Sequence, residues 1–450
     1  MNSTVKGSLQ DNEGRSKGRD NNVHSILRWL LVLILLGMVL GFVAMIVITE
    51  VHPFLGAQIA DKVREIFGPE VVAGVETMVF RLQDILKNVW YKFNPGQAES
   101  PWVNDTGLAV STSSVTPHAP IESPTPQHQP HIPVPTEVAQ IPSITTQPMH
   151  PKEQDLTKAL TPSVTPTTYS WFLPALEPFG TVQGEGVWQP YLYDQDEGVV
   201  AQRTFLQPDP NRPYTVVAVV AFNLERTRLH FVLGFNEPSV PDGPRGDGLI
   251  PDIDRQSGTL LAAFNGGFRA ANGHFGAMAD GTVALPPKDE FATLGIYENG
   301  KVKIGEWGAE IVDSPELRSW RQNCRLIIDD GEISARVYNN SITDWGASIN
   351  NQTVTRRSGI GLDKSAKILY YFAGPSLSMP ILADAMLAVG VHNGMLLDIN
   401  HFWVHFTAIR TVDGELLADP LVPDEMIDHV DRYLGPSPVD FFYLTALEPR

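Results

Sequence analysis

The sequence predicts an α+β domain with a mixed, mainly antiparallel sheet and few helices, preceded by one transmembrane helix and a disordered linker. Three observations predict this arrangement: short strand-like runs in the C-terminal part, one long apolar run near the N-terminus, and a proline-rich stretch between them. We divide the chain into a cytoplasmic tail (1–28), a transmembrane helix (29–48), a membrane-proximal amphipathic helical segment (53–93), a linker (94–168) and a folded domain (169–450).

The N-terminal apolar run, Trp29–Ile48, contains no charged residue. At 1.5 Å per residue, a helix of this length spans a hydrocarbon core of ~30 Å. The residues that follow, Thr49–His52, make a poor cleavage site, so we favour an uncleaved signal-anchor over a cleaved signal peptide or a buried core helix. Basic residues precede the run, which predicts a single-pass membrane protein with a cytoplasmic N-terminus and an extracytoplasmic C-terminal domain: Lys6, Arg15, Lys17, Arg19 and Arg28.

The segment 53–93 has helical periodicity, because apolar residues recur at steps of three and four between Val72 and Val89. Gly68-Pro69 marks a helix start or a break. Two interpretations stay open: an oligomerisation or membrane-surface helix, and a short stalk helix covered by the bilayer surface.

The linker 94–168 is rich in Pro, Thr, Ser, Gln and His, with few charges and no period. Such a composition buries too little apolar surface to fold and predicts a semi-stiff tether. Its four histidines between His118 and His150 are loosely spaced, so we favour a solvated linker over a metal site.

Composition excludes several classes of function. The net charge of -18 argues against a nucleic-acid partner. A single cysteine, Cys324, can form neither an internal disulfide nor a cysteine-based zinc site. The sequence also lacks a nucleophile elbow, a P-loop, an H-E-x-x-H zinc motif and a Rossmann fingerprint. These observations leave the cofactor unknown.

Secondary structure in the folded domain is dominated by strand signals. The turn Asn299-Gly300 predicts a hairpin. Two helices are predicted, one over Met379–Val389 with Ser378 as its N-cap and Gly390 after its end, and one over Glu425–Leu434. Short apolar or alternating runs predict seven strands: Thr215–Phe222, Leu229–Leu233, Leu260–Phe264, Leu294–Tyr297, Arg325–Ile328, Lys367–Phe372 and Met395–Ile399.

The first candidate segment for chemistry is Phe264–Phe268, which follows a predicted strand. Gly266 and Gly267 would let a ligand approach the backbone and would present N–H groups to an anion. A tight turn or bulge is the alternative. His274, a few residues later, would bring a titratable ring beside the same loop.

The second candidate segment begins with Arg356 and Arg357, among small residues at the start of a strand. The planar guanidinium binds two phosphate oxygens at once. An ordinary surface arginine is the alternative for each.

The third candidate segment is Leu396–His405. Its Asp398 follows a strand among apolar neighbours, where desolvation would raise its pKa and suit it to general acid catalysis. An aspartate that caps a turn is the alternative. His401 and His405 would be able to share a face and bind a metal, but core or rim histidines are favoured, and we predict no metal site.

These segments, in this order and spacing, resemble the phosphodiester glycosidase family over roughly Gly184 to Phe442. The stretch Arg357–Gly361 is similar to the family's R-T-A-I-G, with Ser358 and Gly359 in place of Thr and Ala. The other similar stretches are Gly186–Trp188, Phe264–Phe268, Ala277–Gly281, Ala292–Leu294 and the helix Leu382–Val389 that leads to Asp398.

The resemblance implies hydrolysis of a sugar-1-phosphodiester in a phosphorylated glycan, with Asn265, Gly266, Arg357 and Asp398 lining the pocket. In that scheme Arg357 and the glycine amides hold the phosphodiester, Asp398 protonates the leaving oxygen or activates water, and Asn265 bonds a sugar hydroxyl. We predict two sets of site residues: catalytic Asp398, Arg357 and His274, and substrate-binding Asn265, Gly266, Gly267, Asn400 and His401.

One departure from the family pattern keeps a second interpretation open. The family's final motif is L-D-G-G-G-S, whereas Asp398 is followed here by bulky residues through Trp403. A changed substrate and a loss of activity both agree with this difference. The alternative function is therefore a non-catalytic glycan-binding or surface-presenting protein on the same fold.

Overall fold

The computed structural model describes residues 29, 59, 62–94, 99–102, 171–339, 341, 344–346, 351–423, 425–426 and 428–447. The predicted cytoplasmic tail lies outside these residues, as do the predicted transmembrane helix apart from Trp29 and nearly all of the predicted linker. Within the described part of the chain, no helix is both long and apolar enough to cross a membrane.

The folded domain consists mainly of strands. In chain order they are β1 (Gln189–Tyr193), β2 (Val199–Leu206), β3 (Val217–Asn223), β4 (Thr227–Val232), β5 (Leu260–Asn265), β6 (Ala277–Ala279), β7 (Thr282–Leu285), β8 (Ala292–Tyr297), β9 (Val302–Glu306), β10 (Leu317–Gln322), β11 (Leu326–Asp329), β12 (Glu332–Ile333), β13 (Thr355–Leu362), β14 (Ile368–Leu377), β15 (Asn393–Leu396), β16 (Phe406–Val412), β17 (Glu415–Pro420) and β18 (Phe441–Ala446).

These strands form three sheets. Sheet 1 has the order β1-β2-β3-β14-β13-β15-β11-β12, sheet 2 the order β7-β6-β10-β8-β9, and sheet 3 the order β17-β16-β5-β18-β4. Among the described residues, every pair of neighbouring strands is antiparallel. Outside these strands, Trp307 and Ile311 form an isolated parallel bridge. The prediction of a mainly antiparallel domain with few helices is confirmed.

Sheet 1 is covered on both faces. On one face the ring of Phe222 stacks with Phe264 and Phe406 of sheet 3. On the other face Phe372 belongs to a core that includes Leu382 of the helix described next. Burial on both faces explains why its central strands read as apolar runs without clear alternation.

Two α-helices are described at length, α1 (Pro69–Phe93) and α2 (Met379–Ala388), together with short 3-10 turns at Ala270–Asn272 and Ala335–Tyr338. The start of α2 agrees with the sequence, since Ser378 Oγ accepts the Ile381 N–H at 3.5 Å. The glycine after it, Gly390, has a φ of 86° and ends the helix.

The helix predicted over Glu425–Leu434 is wrong. The described residues of this range form turns instead. His429 has a φ of 52°, in the left-handed region, and this backbone conformation interrupts any continuous α-helix. The local apolar spacing was compatible with a helix, but tertiary contacts decided the conformation.

Candidate active site

Asp398 lies two residues after the end of β15 and is held by backbone bonds on both sides. Its N–H donates to Gly266 O at 3.1 Å. Its carbonyl accepts the Ser358 hydroxyl at 2.7 Å and the Ser358 N–H at 3.2 Å. These bonds fix the Asp398 backbone between β5 and β13, so the position of its carboxylate follows from the packing of two sheets.

The two carboxylate oxygens of Asp398 have different surroundings. Oδ1 accepts the N–H groups of Ile399 at 2.6 Å and Asn400 at 2.8 Å. No described residue donates a hydrogen bond to Oδ2. Oδ1 therefore has the role expected of an aspartate that caps a turn. Oδ2 is left to carry a proton or to contact a ligand.

Burial raises the pKa of Asp398 to about 7, because the residue is only 8% exposed and the charged form is poorly solvated. The two backbone donors and Arg321 lower this pKa, whereas the charge of Asp440 raises it. A carboxyl group that titrates near neutral pH can act as an acid in one step and a base in the next.

Asn265 is an internal connector. Its Nδ2 donates to Ser358 Oγ at 2.9 Å and to Gly266 O at 3.0 Å. Its Oδ1 accepts the Tyr371 hydroxyl at 2.9 Å and the His405 N–H at 3.3 Å. The amide is 1% exposed and its polar atoms bond to the protein, so it joins strands β5, β13 and β14 beneath Asp398.

The N–H groups of the glycine pair both bind Asp440, one through its backbone carbonyl and the other through its carboxylate. The Gly266 N–H donates to Asp440 O at 3.1 Å, and the Gly267 N–H donates to Asp440 Oδ2 at 3.1 Å. A Cβ on Gly266 would lie 2.1 Å from Asp440 Oδ2. Gly266 is thus required for the close approach of Asp440, and the Gly267 N–H, which was expected to hold a substrate anion, holds the Asp440 carboxylate.

Asp440 is paired with Arg321, and the sequence analysis missed both residues. Arg321 Nε donates to Asp440 Oδ2 at 2.8 Å, and both side chains are at most 2% exposed. Its NH1 group donates to Phe275 O at 3.0 Å and Gln322 O at 2.9 Å. Two sequence signals could have identified them: Arg321 is an arginine within a strand, β10, and Asp440 is an aspartate directly before a strand, β18.

Arg357 lies on the other face of sheet 1. Its neighbour Ser358 faces Asn265, so alternation along β13 directs Arg357 toward α2. The Arg357 guanidinium donates to Leu377 O at 2.8 Å and Thr353 O at 2.6 Å. Complete burial lowers its pKa to about 9. The structure therefore does not bring Arg357 to the Asp398 carboxylate.

His274, the other predicted catalytic partner, is exposed on the loop after the 3-10 turn, with a φ of 49°. Its backbone N–H donates to Ala270 O at 2.8 Å. Among the described residues, no hydrogen bond connects it to Asp398 or Asp440. The structure places it apart from the buried polar cluster.

Asn400 and His401 are exposed in the turn directly after Asp398. The Asn400 N–H bonds Asp398 Oδ1, and Asn400 Oδ1 accepts the Phe402 N–H at 2.9 Å. The His401 carbonyl accepts a bond from Arg356 at 3.4 Å. This turn brings two exposed polar side chains to the rim beside Asp398.

His405 is buried, whereas His401 is exposed. His405 is 2% exposed, and burial lowers its pKa to about 2. Its ring lies near Tyr433, with centroids 6.1 Å apart. The part of the chain that the structure describes holds no group of three or more residues arranged to ligate a metal.

Two cavities lie near these elements. One, of about 150 Å³, is lined by Arg356, Ala373, Val404 and Glu425, on the Ser358 face of sheet 1. Another, of about 490 Å³, lies between sheets 2 and 3 beside Tyr443. Asp398 lines neither of these two cavities.

No family model matches the chain, and no curated protein matches it. Among solved structures, it is similar to the zebrafish N-acetylglucosamine-1-phosphodiester alpha-N-acetylglucosaminidase catalytic domain, auto-inhibited by its pro-peptide. The TM-score is 0.36 and the identity 14%, over 58% of this chain and 88% of that chain.

Two further solved structures show similarity of the same order. A hypothetical protein from Synechocystis has a TM-score of 0.35 and 11% identity, over 58% of this chain and 64% of that one. A protein described as exported, from Burkholderia pseudomallei K96243, has a TM-score of 0.28 and 11% identity, over 52% of this chain and 74% of that one. Likenesses this weak support no assignment of activity.

Proposed function

We propose that the chain is a membrane-anchored extracytoplasmic hydrolase that cleaves sugar-1-phosphodiester linkages in envelope or extracellular glycans. The observation that carries this proposal is Asp398, a buried carboxyl group with a pKa of about 7, one oxygen held by two backbone N–H groups and the other without a donor. Residues 29–48 would hold the domain at the membrane.

In the proposed reaction, protonated Asp398 gives its Oδ2 proton to the oxygen that leaves the sugar as the glycosidic bond breaks. The resulting carboxylate then takes a proton from the water that adds to the sugar carbon, which restores the acid. The exposed side chains of Asn400 and His401 would bind the phosphodiester or sugar at the rim.

Of the remaining predicted site residues, Asn265, Gly266 and Gly267 have a positioning role in this proposal, and Arg357 has a structural role. Asn265 and Gly266 hold the Asp398 backbone, and the Gly267 N–H holds Asp440. Arg357 supports β13 from the α2 side through its bonds to two carbonyl groups.

A second candidate function is a non-catalytic glycan-binding or surface-presenting protein. The observation that favours it is the internal use of the groups expected to bind substrate: the glycine amides bond Asp440, and the Asn265 amide bonds Ser358 and Tyr371. In addition, Ile399 and Trp403 are buried in the turn where the family pattern has glycines.

The experiment is an assay of the purified full chain against para-nitrophenyl and UDP-linked sugar-1-phosphodiesters. We expect sugar release that falls by about 10²–10⁴-fold in Asp398→Asn, in line with the loss of a general acid. Asp419→Asn, which changes an exposed ion pair with Arg410, is the matched control and should retain activity.

Sugar release that survives Asp398→Asn would remove this residue from the mechanism. If the folded wild-type chain releases no sugar from any of these donors, the binding-protein function replaces the hydrolase. Binding of glycans by the same inactive chain, measured by calorimetry, would then support that second candidate.

A further inference from the structure

The helix α1 is attached to the folded domain by one of its faces. Asp84 accepts two bonds from Arg212, at 2.7 Å from Nε and 2.6 Å from NH2. One turn before, Phe80 packs against the core of sheet 1, and two turns after, Tyr91 lies 5.1 Å from the Tyr214 ring. Steps of four and seven residues place these side chains on one face of the helix.

The opposite face of α1 is apolar and exposed. Phe93 is 80% exposed, which is far above the exposure of a core side chain. Steps of three, four and seven residues place most of this set on one side, away from Asp84. We call this set the outward face: Met78, Leu82, Ile85, Leu86, Val89 and Phe93. A contiguous apolar surface of this kind marks an interaction site in a folded protein.

The exposed charged side chains of α1 between residues 71 and 93 are all basic, whereas the acidic Glu76 and Asp84 are half-buried. Arg81 and Lys92 lie beside the outward face, whereas Lys87 donates to Ser376 Oγ of the folded domain at 3.3 Å; the whole chain has a net charge of -18. The acidic Asp84 is turned toward the domain and paired with Arg212. Large apolar side chains flanked by basic ones are typical of helices that lie in the plane of a membrane interface.

The position of α1 in the chain also supports a membrane interface as the partner of the outward face. The predicted anchor ends at Ile48, and Ile59 is already helical. Eleven residues reach at most about 40 Å even when extended. The helical residues 62–67 that lead into α1 expose Ile66 and Phe67 as well.

We propose that the outward face of α1 lies in the headgroup region of an anionic lipid bilayer and gives the folded domain a second membrane contact. Asp84 and Arg212 fix α1 to the domain. This contact would therefore hold the domain in one orientation on the membrane, whereas a tether alone would let it rotate freely. A second copy of the chain is a poorer occupant, since it would bring the basic Arg81 and Lys92 of one outward face against those of the other.

The test uses the full chain reconstituted into vesicles, with a fluorescent label on single introduced cysteines. The native Cys324 is fully buried and burial raises its pKa, so it does not compete for the label. We place labels at Leu86→Cys and Phe93→Cys on the outward face. The control label is Tyr338→Cys, which is 59% exposed in a 3-10 turn.

We expect spin-labelled lipids to quench the Leu86→Cys and Phe93→Cys labels but not the Tyr338→Cys label. Quenching should be stronger in vesicles of phosphatidylcholine with phosphatidylglycerol than in phosphatidylcholine alone. Adding Arg81→Glu and Lys92→Glu should reduce it, whereas Lys364→Glu on the exposed turn between β13 and β14 should not.

Absence of quenching at both outward positions in anionic vesicles overturns the proposal. Disulfide cross-linking of two Phe93→Cys chains without lipid quenching would assign the outward face to a second copy instead. The result does not depend on the hydrolase proposal, since the same labels on an Asp398→Asn background should behave identically.

Discussion

Asp398 and Asp440 are connected through a single glycine. The Asp398 N–H donates to the Gly266 carbonyl, and the Gly266 N–H donates to the Asp440 carbonyl, each at 3.1 Å. The Asp440 carboxylate in turn holds Arg321 at 2.8 Å. The candidate acid is therefore built on a buried ion pair, and a change in that pair should reach Asp398.

Replacing Asp440 with Asn should destabilise the domain strongly. Arg321 would keep its charge at 0% side-chain exposure without its carboxylate, and an uncompensated buried charge costs about 3–5 kcal/mol. Urea denaturation measures the change. Asp419→Asn makes the same chemical change in an exposed pair and should cost less than about 1 kcal/mol. Equal costs for the two variants would contradict the structural role of the Arg321–Asp440 pair.

Replacing Gly266 with Ala should lower the free energy of unfolding by about 3 kcal/mol, at the upper end of the cost of overpacking. The new methyl group would lie 2.1 Å from Asp440 Oδ2 and 2.8 Å from Asp440 O, and Arg321 holds the Asp440 carboxylate in place. Gly435→Ala is the control, because no atom lies within 4 Å of its added Cβ. A Gly266→Ala variant as stable as Gly435→Ala would show that Asp440 does not pack as described.

The stability of the wild-type chain should fall with rising pH because of Asp398. Its pKa is raised from 3.8 to about 7 in the folded state, so its contribution is complete below pH 3.8 and is lost as pH rises through 7. That rise corresponds to roughly 4 kcal/mol. In Asp398→Asn the side chain stays neutral, so urea denaturation across this range should show a shallower decline. Parallel pH profiles for the two chains would mean that Asp398 titrates normally.

Replacing Arg357 with Met should affect stability but not catalysis. The substitution removes the bonds to Leu377 O and Thr353 O on the α2 side, and buried groups left without partners cost about 1–3 kcal/mol. We expect the folded variant to keep the wild-type kcat/KM for sugar release, in contrast to Asp398→Asn. A variant that folds with unchanged stability and loses activity would return Arg357 to the catalytic set.

Local signals predicted much of the secondary structure. The alternation of Leu294–Tyr297 and the Asn299-Gly300 turn correspond to β8 and the hairpin to β9, where Gly300 has a φ of 80°. Ser378 and Gly390 bound α2 as expected. These features depend on residues close together in sequence, and such interactions can be recognised without the rest of the fold.

The candidate site was only partly predictable. Asp398 was identified correctly as a desolvated carboxyl group, because a strand of apolar residues leads directly to it. The face of sheet 1 on which the Arg357 side chain lies was not predicted, because a one-residue change in the register of β13 reverses that face. The glycine amides were predicted to bind a substrate anion, whereas the Gly266 N–H bonds the Asp440 carbonyl and the Gly267 N–H bonds the Asp440 carboxylate, and nothing local in the sequence indicated these partners.

The sequence by itself determined the strand-rich domain, the turns, the cap of α2 and the desolvation of Asp398, since each depends on residues within a few positions of one another. Only the tertiary structure decided which partners the polar groups take. Gly267 and Asp440 are 173 positions apart, and Arg321 and Asp440 are 119 apart. Contacts over such separations are selected by the packing of whole sheets, which positions buried polar groups where each one can be satisfied.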